Sequence, residues 1–303
     1  MSSQRKRIFE AAAGDSVMMD NTAHKTLFTI PEPRYSTALA TVKPLPVQRK
    51  ITGNKQVDAY LWVLAVIKTN EPAHLEAAEE ALKKLKITPK AAQQKYSDYL
   101  MKSGAHPFQI AFGTLSMDNP QGYINSAKEQ IKKASQVRAS FASYEAALEL
   151  TEPEKLMLVG ELANIYEPFY YWNETEQAEG CMHGDRINET DKLRQATAKG
   201  FAEQLPEPHT LSDVVREFLY WDWLYQMRNV AAKELDPGGY GDGDRYHIYD
   251  REDYLEGKLV TIQAVNHQEA IDVCKWVLEE ERFHDRELTD KIILNLVGES
   301  ADA

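Results

Sequence analysis

The stretch that decides the fold class runs from residue 119 to residue 150 and reads NPQGYINSAKEQIKKASQVRASFASYEAALEL. Apolar residues recur in it every three or four positions, which places them on one face of an α-helix. Asn119 followed by Pro120 is a helix-start signal, because proline is tolerated in the first turn, where its missing N–H is not needed. The stretch therefore predicts a long amphipathic helix. Its apolar stripe comprises Tyr123, Ile124, Ala127, Ile131, Ala134, Phe141, Tyr144 and Leu148.

Shorter helices are predicted on the N-terminal side of this stretch. Asn70 lies two positions before Pro72 and Thr88 directly precedes Pro89, and apolar residues follow both prolines at helical spacing. A further helical pattern precedes Pro72, and Gly104 is placed to end the last helix of the series. Three short helices are therefore expected between residues 56 and 104.

A capping box marks the end of the long helical stretch. Thr151 and Glu154 have the spacing at which a threonine and a glutamate cap the same helix start, so a new helix is expected after Leu150. The same kind of signal recurs at Thr210 and Asp213. The helices predicted beyond the break cover about residues 156–169, 189–204 and 210–235, and one or two closing helices are predicted within residues 271–296.

Two short segments have patterns that favour strands. Lys25–Ile30 alternates, and Leu259–Val265 is an apolar run rich in β-branched residues. Neither is long enough to predict a sheet. We expect a mainly α protein with an irregular multi-helix fold, because no fixed-period repeat occurs.

Three parts are predicted along the chain. Residues 1–55 contain four prolines between positions 31 and 46 and no sustained period, so we expect an extended, partly disordered basic arm there. Residues 56–150 form a near-neutral helical subdomain with basic patches, and residues 151–303 form an acidic helical subdomain.

The net charge of −12 is unevenly distributed. Residues 1–56 hold nine Lys and Arg against four Asp and Glu, whereas residues 151–303 hold fifteen against thirty-three. Such asymmetry points to a polyanion at the basic end, a basic partner at the acidic end, or a solvated acidic surface.

Composition excludes several classes. No apolar run approaches the ~20 residues of a membrane span, and no signal-peptide core follows the basic N-terminus. Two cysteines are too few for a disulfide framework. We therefore expect a cytoplasmic protein with no membrane association. No Walker, dinucleotide or nucleophile-elbow motif occurs, and no cofactor is predicted.

One sequence element imitates a metal-dependent nuclease. Glu256 and Lys258 precede the apolar run at Leu259, and Asp250 or Asp242 is available as an upstream carboxylate. Two carboxylates can hold a divalent ion while a lysine positions an activated water or a phosphate. Chance occurrence in a charged chain is the competing interpretation, so these residues are an alternative, and no catalytic residue is predicted.

Two further patterns resemble metal sites. Glu281 and His284 have the i, i+3 spacing of helical di-metal carboxylate proteins, but a second such pair is missing. Cys181 and His183 lie close together in a polar loop, and two ligands do not make a structural zinc site. No metal site is predicted, and Glu281 with His284 is kept as the alternative.

Aromatic and basic residues supply the binding candidates. The aromatic clusters lie among acidic residues, which favours packing with one edge at a protein interface over nucleic-acid contact. The interface candidates are Tyr171, Trp172, Trp221 and Trp223. The nucleic-acid candidates are the basic residues of the arm and of one face of the long helix, namely Arg5, Lys6, Arg7, Lys128, Lys132 and Lys133.

These patterns lead to one preferred function and two alternatives. We expect a non-enzymatic adaptor or regulator that binds a protein partner and associates through residues 1–150 with a nucleic-acid complex. The alternatives are the metal-dependent nuclease or hydrolase of Asp250, Glu256 and Lys258, and an acidic inhibitor that mimics nucleic acid.

Overall fold

The computed structural model describes residues 21–35, 43–243, 245–279, 282–283 and 285–298. Within these residues all regular structure is helical and no strand occurs, which confirms the mainly α prediction. Arg5, Lys6 and Arg7 of the predicted arm lie outside the described residues, as do Glu281 and His284. No helix in the described part of the chain combines the length and apolar composition needed to cross a bilayer.

The chain divides into two compact units. Residues 33–147 form one, called here the basic unit, and residues 1–32 together with 148–303 form the other, called the acidic unit. The basic unit carries sixteen Lys and Arg against nine Asp and Glu, a net charge of +7. The acidic unit carries nineteen against thirty-eight, a net charge of −19. Of the described residues among the first 55, residues 21–32 belong to the acidic unit, and residues 33–35 and 43–55 belong to the basic unit.

The basic unit is a bundle of short helices. Its helices are α2 (Lys55–Ile67), α3 (Pro72–Lys84), α4 (Pro89–Lys102), α5 (Pro107–Thr114) and α6 (Pro120–Phe141), with a 3₁₀ turn at Leu115–Met117 and α7 (Tyr144–Leu148) at the unit boundary. The long predicted helix thus ends at Phe141, because Ala142 has a φ of 67° and interrupts the helical hydrogen bonds.

The core of the basic unit lies between α2, α3 and α6. Tyr60, Leu75 and Ile124 are buried there, and the Tyr60 hydroxyl donates to the carbonyl of Met117 at 2.5 Å. The segment before α2 is tied down as well, because the Trp62 indole N–H donates to the Pro46 carbonyl at 2.7 Å. Polar side chains thus attach an extended segment to the bundle.

The acidic unit contains the longest helix. Its helices are α1 (Thr22–Leu27), α8 (Glu152–Met157), α9 (Glu161–Asn164), α10 (Glu174–Glu179), α11 (Asp185–Ala198), α12 (Leu211–Leu235), α13 (Tyr246–Thr261), α14 (His267–Leu278) and α15 (Arg286–Leu296). Helices α13 and α14 both pack against α12, and α15 packs against α13 and α14.

Neither of the two segments with a strand-like pattern forms a strand. Lys25 lies in α1, which docks on α12 through the fully buried Phe28, whose ring makes edge contacts with Tyr220 and Trp221. The apolar run that starts at Leu259 begins in the last turn of α13, where Leu259 is fully buried, and continues beyond Thr261 without regular structure. A short apolar run does not distinguish a strand from a buried helix end, and here helix packing decides.

The capping predictions are confirmed. The Thr151 N–H donates to the Glu154 carboxylate at 2.7 Å at the start of α8. The Asp213 N–H donates to the Thr210 hydroxyl at 3.1 Å at the start of α12. The helix expected at 189–204 instead begins at Asp185 and ends at Ala198, where Lys199 takes a left-handed conformation.

Candidate functional site

A buried ion-pair network joins α8, α12 and α13. The Glu154 carboxylate is fully buried and accepts two hydrogen bonds from Arg228, at 2.9 and 2.7 Å, and one from His247 at 3.0 Å. Burial by itself raises the pKa of Glu154, but the bonds from His247 and Arg228 outweigh it and hold the pKa below its ordinary value. The charge is thus neutralised inside the fold.

A second network, again of one glutamate, one arginine and one histidine, lies nearer the start of α12. Glu217 is fully buried, and Arg251 donates to both its oxygens at 2.7 and 3.0 Å, while His24 Nε2 lies 2.9 Å away. Burial raises the pKa of Glu217, and the bonds from His24 and Arg251 outweigh that effect and lower it. Helix α1 is thereby attached to the core by the contact between His24 and Glu217 as well as by Phe28.

The residues of the nuclease alternative do not converge. Asp250 is buried, and its carboxylate accepts hydrogen bonds from Nε and Nη2 of Arg194, at 2.8 and 3.0 Å. Lys258 instead pairs with Glu207 at 3.1 Å. Glu256 and Lys258 are two positions apart in α13, so their side chains leave the helix in nearly opposite directions. The strand on which this alternative depended is a helix, and the geometry gives it no shared ion site.

A small cavity lies between α12 and α13. It has a volume of about 180 Å³ and is lined by Trp221, Tyr225, Tyr249 and the carboxyl groups of Asp222 and Glu252, among others. Burial, reinforced by the charge of Asp222, raises the pKa of Glu252 to about 8. Glu252 therefore holds its proton at neutral pH.

Two of the four interface candidates are not on the surface. Trp221 is 1% exposed and Trp223 is 7% exposed, so both belong to the core around α12, and their prediction as interface residues is corrected. Tyr171 and Trp172 are half-buried; Arg186 donates to the Tyr171 carbonyl at 3.1 Å. The charged residues near the aromatic residues of α12 suggested that one edge of the helix is exposed. In the structure several charged residues of α12 are buried as well, in ion pairs.

The basic candidates of the long helix are exposed on α6. Lys128 pairs with Glu79 at 2.8 Å, and Lys132 lies 4.0 Å from Glu129. Lys133 is exposed and has no ion-pair partner among the described residues. Their role in nucleic-acid binding stays a prediction.

The basic unit exposes an apolar surface that sequence reasoning missed. Phe108, Phe112 and Leu115 are 69%, 73% and 70% exposed, and Met101 at the end of α4 is 55% exposed. We call these four residues the α5 surface. In α5 itself only Thr114 is buried. The signal was available, because Phe108, Phe112 and Leu115 have the i, i+4, i+7 spacing of a helix face and Pro107 marks a helix start.

A loop of the acidic unit brings together three potential metal ligands. One ligand atom each from Glu179, Cys181 and His183 lies within 4.8 Å of the other two, and the Cys181 sulfur lies 2.9 Å from His183 Nε2. The sequence had indicated only the cysteine and the histidine. Glu179 is added by the fold, because α10 ends beside the loop.

Comparison with known proteins finds no matching family model, curated protein or solved structure.

Proposed function

We propose that this protein is a non-enzymatic adaptor whose basic unit docks an acidic protein partner through the α5 surface. The observation that carries the proposal is the exposure of Phe108, Phe112 and Leu115 along one helix face, in a unit with a net charge of +7.

The apolar part of the surface supplies affinity. Full burial of a Phe or Leu side chain stabilises a complex by about 1.5–3 kcal/mol. Phe108, Phe112 and Leu115 are each about 70% exposed, so most of this free energy is available to a partner. An i, i+4, i+7 row of large apolar side chains is the pattern by which helices dock in grooves of other proteins.

The positive charge of the basic unit favours an acidic partner. Helix α5 packs against α4, which carries the exposed Lys95 and Lys102 seven positions apart, a spacing that places them on one face. Neither lysine has an ion-pair partner among the described residues. Carboxylates on a partner would meet these cations without breaking an existing ion pair, which raises association rate and specificity.

A protein partner fits this surface better than a nucleic acid. Phe108 and Phe112 could stack on bases, but Met101 and Leu115 have no π face and are also exposed apolar side chains. Of the three lysines of α6 predicted to contact phosphates, Lys128 and Lys132 already lie near glutamates, whereas Lys133 has no ion-pair partner among the described residues. The experiment must therefore distinguish binding of a protein partner from binding of a nucleic acid.

The test is affinity capture from native-host lysate with the full chain as bait. Phe108→Ser/Phe112→Ser should lose a partner that the wild type retains, and Lys95→Glu/Lys102→Glu should weaken its capture. Val47→Ser is the matched control, because Val47 is an 81% exposed apolar residue of the same unit.

Three controls make the result decisive. Circular dichroism must show that each variant keeps its helix content. The partner should carry an acidic segment and elute at moderate salt. If nuclease treatment of the lysate removes the captured partner, the surface binds nucleic acid. If the Phe108→Ser/Phe112→Ser variant captures the same proteins as Val47→Ser, the proposal is wrong.

A further inference from the structure

The loop between α10 and α11 joins three side chains of different ligand chemistry. Glu179 supplies a carboxylate, Cys181 a thiol and His183 an imidazole, with all three ligand atoms within 4.8 Å of one another. Glu179 and His183 are exposed and Cys181 is half-buried, so an ion can reach all three from solvent.

The backbone of the loop explains the convergence. Gly180 ends α10 in a left-handed conformation, φ 69° and ψ 20°, and its N–H donates to the Glu176 carbonyl at 2.9 Å. Cys181 and His183 then follow in non-helical backbone, where residues two apart can point to the same side. The turn thus returns the chain past Glu179.

Contacts on both sides hold the loop in place. Arg186 donates to Glu176 at 3.2 Å and to the Tyr171 carbonyl at 3.1 Å, which ties the start of α11 to α10 and to the segment before it. Inside the loop, the Thr190 hydroxyl contacts the Met182 sulfur at 3.5 Å. These anchors do not engage the ligand atoms of Glu179, Cys181 or His183.

We propose that Glu179, Cys181 and His183 bind a divalent transition-metal ion of the zinc type, with at least one coordination position left to water. A thiolate, an imidazole and a carboxylate are the ligand types that Zn²⁺ takes in proteins, and three protein ligands with an open position form a recurrent zinc geometry. Thiolate and imidazole select such ions over Mg²⁺ and Ca²⁺, which prefer oxygen.

The distances need only side-chain adjustment. Zn–S and Zn–N bonds of about 2.3 and 2.0 Å at a tetrahedral angle separate sulfur from nitrogen by about 3.5 Å. The Cys181 sulfur and His183 Nε2 lie 2.9 Å apart and must open slightly, and the Glu179 carboxylate oxygen already lies within 4.8 Å of both. On binding, the Cys181 thiol gives its proton to the solvent as the sulfur–metal bond forms, and neutral His183 donates its lone pair.

Cobalt(II) is the appropriate probe, because Zn²⁺ has no spectrum of its own. The full chain, without a polyhistidine tag, is titrated with Co²⁺ and followed by thiolate-to-cobalt absorption. We expect one equivalent to bind, Zn²⁺ to displace it, and Cys181→Ser to abolish the absorption. Cys274→Ser, which changes the other half-buried cysteine, should retain it.

Further variants test the remaining ligands. Loss of a residue that only supports a metal ligand weakens metal binding by about 10- to 100-fold. His183→Gln and Glu179→Gln should each weaken Co²⁺ binding by more than this. As an independent readout, Zn²⁺ should slow alkylation of Cys181 and leave that of Cys274 unchanged. Circular dichroism confirms that each variant is folded. Absent cobalt absorption, absorption that survives Cys181→Ser, or equal alkylation rates with and without Zn²⁺ would each overturn the proposal.

Discussion

Glu154→Gln tests how strongly the buried ion pairs stabilise the acidic unit. The substitution keeps the size of the side chain and removes its charge, which leaves the Arg228 guanidinium, 1% exposed, without a counter-charge. Removal of one partner from a buried ion pair costs about 3–5 kcal/mol. Since His247 also loses its charged acceptor, we expect a loss of this size in the free energy of unfolding.

The same helix offers a matched control. Glu152 pairs with Lys155 at 2.7 Å, the same distance as Glu154 to Arg228, but its side chain is 77% exposed and that of Lys155 is 57% exposed. An exposed pair contributes at most about 1 kcal/mol. Glu152→Gln should therefore lower stability by a few tenths of a kcal/mol, and the difference between the variants isolates the effect of burial.

The assay is urea unfolding followed by tryptophan fluorescence. Four of the five tryptophans, Trp172, Trp221, Trp223 and Trp276, belong to the acidic unit, so the signal reports mainly on it. The double variant Glu154→Gln/Arg228→Met should recover part of the loss, because it leaves no unpaired buried charge. If Glu154→Gln costs no more than Glu152→Gln, the reasoning is refuted.

The pH dependence follows from the same network. The pKa of Glu154 and that of Glu217 are lowered in the folded protein, so the unfolded chain binds more protons at acid pH. Their contribution to stability is complete above the ordinary glutamate pKa of about 4.3 and is lost progressively as the pH falls below it. The difference between wild type and Glu154→Gln should therefore shrink with acidification.

Three further substitutions should change the stability of the folded protein, two by raising it and one by lowering it. Burial and neighbouring carboxylates raise the pKa of Glu252 to about 8, so the folded state is progressively destabilised as the pH rises from the unfolded to the folded pKa. Glu252→Gln should therefore raise the urea midpoint more at about pH 9 than at about pH 5. Glu203→Gln, at an exposed position, is the control and should show no such difference. Gly200→Ala should destabilise by about 2 kcal/mol or more, because Gly200 has a φ of 59° and a Cβ there would lie 2.2 Å from the Cβ of Tyr254. Gly257 lies in α13, and no atom lies within 4 Å of the carbon that an alanine would add. Gly257→Ala should therefore stabilise the protein by about 0.5–1 kcal/mol. Thermal unfolding monitored by circular dichroism compares this variant with Gly200→Ala. An equal effect of both glycine substitutions would contradict this account.

Helix starts were predictable because their signals are local. The capping residues Thr151 and Thr210 bond to their own helix turns, and Pro72, Pro89 and Pro120 stand in first turns as expected. Such contacts join residues within four positions, so no distant segment is needed to recognise them. The helical class followed from these signals and from the apolar spacing.

Helix α13 was missed because its buried face is partly charged. Ile248, Leu255 and Leu259 are its buried apolar residues, but Asp250 and Arg251 are buried with them. A search for apolar periodicity counts such positions as exposed. They are buried only because Arg194 and Glu217 meet them from other helices, and those partners lie 56 and 34 positions away.

The sequence by itself thus determined the helical class, the capping boxes and the change of charge near residue 150, since all three depend on neighbouring residues or on counting. Tertiary structure alone decided which charges are buried and which remain available. It removed Trp221 and Trp223 from the surface, exposed Phe108 and Phe112, and added Glu179 to the pair in the loop. The physical reason is that burial and pairing depend on segments far apart in the chain, whose meeting no local pattern encodes.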